Sequence, residues 1–163
     1  MVTTVLAPKW TPRGVVQRLR NVLRQPGDWL LGLRIGWFLW QLPPQMEQLA
    51  LPVLLERLRT APRPPAADAV GAVARIARLR QPWLNHPPLA SRNTCYMRAL
   101  TLYRFVDPRG RALRIHFGIE PGVDARDRLR GHAWITVNDE VFEPPDPLLA
   151  GRVREIYCHP SAD

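Results

Sequence analysis

The chain is poor in cysteine: Cys95 and Cys158 are the only two among 163 residues, and no CxxC pair occurs. That excludes a disulfide framework and a zinc knuckle. Long apolar runs are also missing. The most apolar stretch, WLLGLRIGWFLWQL at 29–42, falls short of the ~20 residues that span a bilayer, and Arg34 interrupts it. Residues 1–27 lack a clean apolar h-region and carry several arginines. No secretory signal is therefore predicted, and the cytoplasm is the expected compartment. There is no internal repeat, no low-complexity tract and no recognisable RNA- or DNA-binding motif. Lysine is nearly absent too, since all but one of the 23 basic residues are arginine.

What is present divides the chain. The net charge is +9. Residues 1–90 hold 12 basic and 4 acidic groups, or +8, and residues 91–163 hold 11 and 10, or +1. A basic first half admits nucleic acid, anionic lipid or an acidic peptide as partner. Solvated arginine faces explain it more simply, and no nucleic-acid partner is expected. A hydrophobic fraction of 46% suffices for a core. The length suggests one domain with an appended helical portion.

Residues 11–25 place Val15, Val16, Leu19 and Leu23 at helical spacing, with Thr11-Pro12 as a helix start. Pro26-Gly27 breaks the chain, and Asp28 is placed to cap a new helix. The spacing predicts a buried helix over 29–42. Trp29, Trp37 and Trp40 leave contact with a membrane surface or partner as its alternative. A third helix is expected over 45–60, with Met46, Leu49, Val53 and Leu58 on one side, and a fourth over 67–80. Three prolines in 81–90 then forbid a continuous helix.

From residue 91 the pattern changes. TCYMRALTLYRFV at 94–106 reads as a helix with Ala99, Leu102, Tyr103 and Val106 on one stripe. ALRIHFGIE at 112–120 alternates as a strand, with Leu113, Ile115, Phe117 and Ile119 on one face. HAWITV and EVFEP form two more strands around a hairpin turn at Asn138-Asp139. A polar loop precedes them, and the tail after Pro144 is expected to hold a short helix. The fold class is α+β. Residues 1–90 form a mainly helical portion, and residues 91–163 form the mixed core.

The second half offers a chemical constellation. Ser91, Asn93 and Thr94 are good caps, so Cys95 falls in the first turn of a helix. A helix N-terminus favours negative charge, and its free N–H groups can hold an oxyanion. An imidazole can take the thiol proton and pass it to a leaving amine, and a third group must orient that imidazole. A two-residue turn at 138–139 pairs Val137 with Glu140, Ile135 with Phe142 and Trp134 with Glu143. His132 shares the Trp134 face, so Glu143 lies diagonal to it. Cys95, His132 and Glu143 are thus the expected catalytic set, with Asp146 as the substitute acid. Lone cysteines are usually small core residues, which is the plain alternative.

NTCYMRALTLYRF, RIHFGIEPG and GHAWITVNDEVFE together resemble the transglutaminase-like leader peptidases of lasso-peptide biosynthesis. The similarity rests on Cys95 with Arg98-Ala99-Leu100, Phe117-Gly118-Ile119 and His132-Ala133-Trp134, over about residues 91–145. It implies a papain-like core with a Cys-His-acid triad that removes the leader from a ribosomally made precursor. The acid maps near Glu143, where the family has aspartate, and Pro144-Pro145 follow it. The family's small leader-recognition module is not visible in residues 1–90, so a separate recognition protein is implied. An asparagine-synthetase-like cyclase is a further implied partner. No cofactor and no metal are expected.

Other residues receive plainer expectations. Asn93 and Trp134 are candidate substrate contacts, with core packing the alternative for Trp134. Arg98 is expected in a structural ion pair, with carboxylate binding as its alternative. His116 reads as a surface histidine, His86 as a loop residue, and Cys158-His159 as no metal site. Two other activities would use the same triad or fold: acyl transfer or deamidation, and peptide binding without chemistry.

Overall fold

The computed structural model describes residues 26–64, 68–107, 110, 112–120, 130–142 and 152–160. The helix expected over 11–25, the loop at 121–129, and both Glu143 and Asp146 lie outside the described residues.

Helix α1 spans Pro26–Gln48, α2 Leu51–Thr60, α3 Ala69–Leu84 and α4 Cys95–Phe105, with a 3-10 turn at Leu89–Arg92. Strands β1 (Leu113–Glu120), β2 (Arg130–Val137), β3 (Glu140–Phe142) and β4 (Arg154–His159) form one antiparallel sheet in the order β3-β2-β1-β4. The α+β class is therefore observed.

The hairpin turn has Asn138 at φ 50° and Asp139 at φ 66°, the left-handed pair of a tight two-residue turn. Asparagine and aspartate tolerate that region best among residues with a side chain. The Asn138 side chain also accepts from Ala112 N at 3.0 Å, tying the turn to the start of β1. Val137 pairs with Glu140 and Ile135 with Phe142, the register that the turn dictates.

Helix α1 runs further than expected, through Pro43 and Pro44 to Gln48. An interior proline costs a helix about 3 kcal/mol. Leu31, Ile35, Phe38, Leu39 and Leu42 are all buried on this helix, and each contributes about 1.5–3 kcal/mol. Tertiary burial therefore outweighs the two prolines. The opposite face leaves Trp29, Leu30, Leu33, Trp37 and Trp40 exposed, so α1 is only half buried. Among the described residues no helix is long and apolar enough to cross a membrane.

The helix expected over 45–60 is divided instead. The chain breaks at Leu49-Ala50, and Pro52 takes an early position of α2. Leu54, Leu55 and Leu58 are its buried side, while Met46 and Val53 are exposed. Asp28 does not cap a helix; it sits in the first turn of α1 and binds two arginines of α3. Arg75 Nε donates to it at 2.6 Å and Arg78 Nη2 at 2.8 Å. Helix α3 starts under Asp68, whose carboxylate accepts from Gly71 N at 2.5 Å, and it continues through Pro82 to Leu84. The expected C-terminal helix is corrected as well: β4 is a strand paired with β1.

One apolar core joins these parts. Helix α4 is buried nearly all round, beyond the single stripe expected, with Met97, Ala99, Leu100, Leu102, Tyr103 and Phe105 inside. It covers the sheet face formed by Leu113, Ile115, Phe117, Ala133, Ile135 and Val137. Phe38 of α1 meets Phe105 of α4 edge-on at 5.5 Å, so the helices before residue 90 pack into the same core.

Two packing constraints are testable. A Cβ on Gly36 would overlap the Trp83 indole where α1 crosses α3. Gly36→Val should lower stability by about 1–3 kcal/mol in urea titration. Asp28 is 4% exposed and binds both arginines. Asp28→Ala should cost about 1.5–3 kcal/mol by the same measurement, whereas an unchanged midpoint would show that the pair contributes nothing.

Candidate active site

The first turn of α4 is built by its cap. Thr94 has extended backbone, and its Oγ1 accepts from Met97 N at 3.3 Å. Its carbonyl accepts from Arg98 N at 3.1 Å. Cys95 therefore takes the first helical position, as its upstream neighbours implied. Among the described residues the N–H groups of Cys95 and Tyr96 find no acceptor, which is the usual condition of a helix N-terminus. They are donors available to a bound anion or oxyanion.

The Cys95 thiol reaches the sheet. Its Sγ donates to the carbonyl of Gly131 at 3.6 Å, so it lies against the Gly131–His132 peptide unit. Tyr96 packs on Phe117 of β1 with ring centroids 5.0 Å apart, which fixes this end of α4 over the sheet. Burial pushes the Tyr96 hydroxyl pKa upward.

His132 stands on β2 opposite Gly118 of β1. Strand alternation gives it the face of Trp134 and Thr136, while Ala133 and Ile135 face α4. The structure thus brings the Cys95 thiol to the backbone of His132. Among the described residues no hydrogen bond joins thiol and imidazole. His132 Nε2 is buried and has no hydrogen-bond partner among them. The same holds for Oδ1 of Asn93, two residues before the thiol.

The other expected residues separate. Trp134 stacks on His116, with centroids 5.4 Å apart and rings within 7° of parallel, on the sheet face away from α4. Arg98 is exposed and forms no ion pair among the described residues, so the expected structural pair is absent there; its carbonyl accepts from Arg80 Nη1 at 2.9 Å. His116 is no free surface histidine. Its side chain is 12% exposed, and both ring nitrogens are bonded. His86 is an exposed loop residue, as expected.

A further acid stands near His132. Glu120 shares the His116 and Gly118 face and lies diagonal to His132 across β1 and β2. Its side chain is 13% exposed, Arg130 is 3.9 Å away, and its Oε2 has no hydrogen-bond partner among the described residues. The alternation of RIHFGIE against GHAW carried that signal in the sequence.

A groove of about 310 Å³ opens elsewhere, between α1, α2 and α4. Arg34, Trp37, Arg57 and Arg104 line it, and Cys95 and His132 do not. Helix-terminal donors beside a thiol, with an imidazole on the adjoining strand, can support nucleophilic acyl chemistry.

The family model described as "Transglutaminase-like superfamily" matches residues 29–157. Comparison with the curated proteins and with the solved structures finds no match. The matched span runs from α1 into β4, taking in Cys95 on α4 and His132 on β2. With most of its length covered, including the helix that carries the thiol and the sheet beneath it, the chain belongs to the transglutaminase-like superfamily, which includes cysteine peptidases and acyltransferases.

Proposed function

We propose that the protein is a cysteine peptidase that removes the leader from a ribosomally made precursor peptide, in the manner of lasso-peptide maturation. The observation that carries the chemistry is Cys95 at the first position of α4 with its thiol on the Gly131–His132 peptide. The leader substrate is supported by the sequence resemblance at Cys95, Gly118 and His132.

In this mechanism the Cys95 sulfur attacks the scissile carbonyl carbon. The His132 ring, which strand alternation puts on the Trp134 face, must turn at the start of β2 toward the thiol to take its proton. The oxyanion accepts from the N–H groups of Cys95 and Tyr96. His132 then returns the proton to the leaving amine, and the C–N bond breaks to give a thioester. Water, deprotonated by His132, attacks the thioester and frees the carboxylate and the thiol. Glu143 orients the imidazole, with Asp146 as the alternative. Asn93 Oδ1 is an acceptor for a substrate N–H, Trp134 a wall beside His132, and Arg98 a contact for an acidic group. The partners required are the precursor, a separate recognition protein and a cyclase acting on the freed core peptide. The proposed compartment is the cytoplasm, with residues 29–42 as the surface for contact with a membrane. An amine in place of water would turn the same thioester toward acyl transfer.

The missing bond between Cys95 and His132 favours a second reading, peptide binding without chemistry. Iodoacetamide labelling separates the two, with Cys158→Ser in every sample. At neutral pH Cys95 should alkylate about 10-fold faster than free cysteine, and His132→Ala should erase the excess. If Cys95 reacts as an ordinary thiol, even with leader and recognition protein added, the peptidase reading fails.

The orienting acid has its own test. Glu143→Gln should lower kcat/KM for precursor cleavage by ~10²–10⁴-fold, while Asp146→Asn and Glu120→Gln stay near wild type. A loss of that size in either of the other two would move the role there.

A further inference from the structure

The sheet face away from α4 carries a second cluster that the peptidase chemistry leaves unused. His116, Glu155 and Cys158 each point a ligand atom into one region, and these atoms lie within 4.8 Å of one another. We propose that they bind one borderline-soft divalent cation of the zinc class, through His116 Nδ1, the Glu155 carboxylate and the Cys158 thiolate.

Strand geometry assembles the cluster. His116 of β1 pairs with Cys158 of β4, so they share a face. Glu155 would fall on the opposite face if β4 alternated regularly. Between Phe117 and Gly118 the register shifts, and Gly118 pairs with Glu155 rather than with Ile156. That bulge turns Glu155 onto the face of His116 and Cys158. Bulges commonly re-aim a side chain in this way.

The histidine is held as metal-ligating histidines are held. Its Nε2 lies 2.9 Å from the hydroxyl of buried Thr136. With Nε2–H donating there, the Nδ1 lone pair points toward Glu155, at 2.7 Å. Such a bond from the far nitrogen fixes tautomer and ring orientation. Trp134, stacked on the ring, fixes its plane. In the other tautomer Nδ1–H donates to Glu155 and Nε2 accepts from Thr136; a bound cation would take the place of that Nδ1 proton.

The same bonds exclude a second nucleophilic triad. A triad histidine uses one nitrogen for the acid and the other for the thiol. Here the second nitrogen is committed to Thr136, so His116 cannot link Glu155 to Cys158. Nitrogen, sulfur and oxygen ligands in this set suit zinc. Thiolate and carboxylate supply two negative charges, which balance a dication. Bond lengths of about 2.0–2.3 Å put tetrahedral ligand atoms roughly 3.3–3.7 Å apart, so the widest pair of the cluster must close by about 1 Å and the Glu155 carboxylate must draw back from His116 Nδ1, now at 2.7 Å. Glu155, with its side chain 48% exposed, is free to make that move. Three protein ligands leave a fourth position for water.

The test uses the full chain, stripped with a chelator and titrated with Co²⁺. One equivalent should bind and produce the near-ultraviolet charge-transfer absorption of a cobalt–thiolate bond, and Zn²⁺ should displace it. Cys158→Ser should abolish the band, and Cys95→Ser should retain it. Glu155→Gln, a change at a half-exposed side chain, should weaken binding by more than about 100-fold, and Thr136→Val by ~10–100-fold. Circular dichroism checks that each variant is folded. Absence of the band, its loss in Cys95→Ser, or its survival in folded Cys158→Ser would each overturn the proposal. Cleavage activity does not enter this readout, so failure of the peptidase reading leaves it standing.

Discussion

The structure depends on the packing of α4 across the inner face of β1 and β2. Leu100, Leu102, Tyr103 and Val106 are completely buried in that core, and so are Ile115 and Ile135 of the sheet. At about 25 cal/mol per Å² this contact is the main apolar term available to the second half of the chain. It also fixes where the N-terminus of α4 must lie. Once the helix is seated, the cap at Thr94 and the ring contact between Tyr96 and Phe117 leave Cys95 against the start of β2, at Gly131. The position of the thiol is thus a consequence of core packing.

Much of this was legible in the sequence because local and global preferences agree there. Thr94 is a cap residue and becomes a cap. The alternation from Leu113 to Phe117 becomes a strand with one buried face. Asn138-Asp139 becomes a two-residue turn with both residues left-handed. Misreadings arose where tertiary burial overrode a local signal. Pro43 and Pro44 argue for a helix end, yet Leu39 and Leu42 are fully buried just before them and the helix continues. In β4 the bulge interrupts alternation within a six-residue strand, so no period of two is visible.

The site was legible in a similar, partial way. A capping sequence locates a thiol along a helix, so Cys95 could be placed from sequence alone. Cross-strand register locates an imidazole only relative to its own sheet. Whether His132 meets the thiol depends on how helix and sheet dock, which no local pattern encodes. The structure answers that the thiol meets the His132 peptide and not the ring. Glu143 and Asp146 lie beyond the described part of β3. Glu120 lies on β1, on the other side of β2 from the hairpin, where pairing through the 138–139 turn does not reach.

The two cysteines show how position divides one residue type between two kinds of chemistry. Burial and the neighbouring Glu155 carboxylate push the Cys158 thiol pKa up, so at neutral pH it is held as a thiol. A nucleophile there would need a base, and His116 is turned toward Thr136 and Glu155 instead. Cys95 is placed differently: at a helix start it adjoins two N–H groups that find no acceptor among the described residues. The acid that makes Cys158 a poor nucleophile is what a dication would need beside it. A carbonyl substrate needs hydrogen-bond donors instead, and the helix start supplies them beside Cys95.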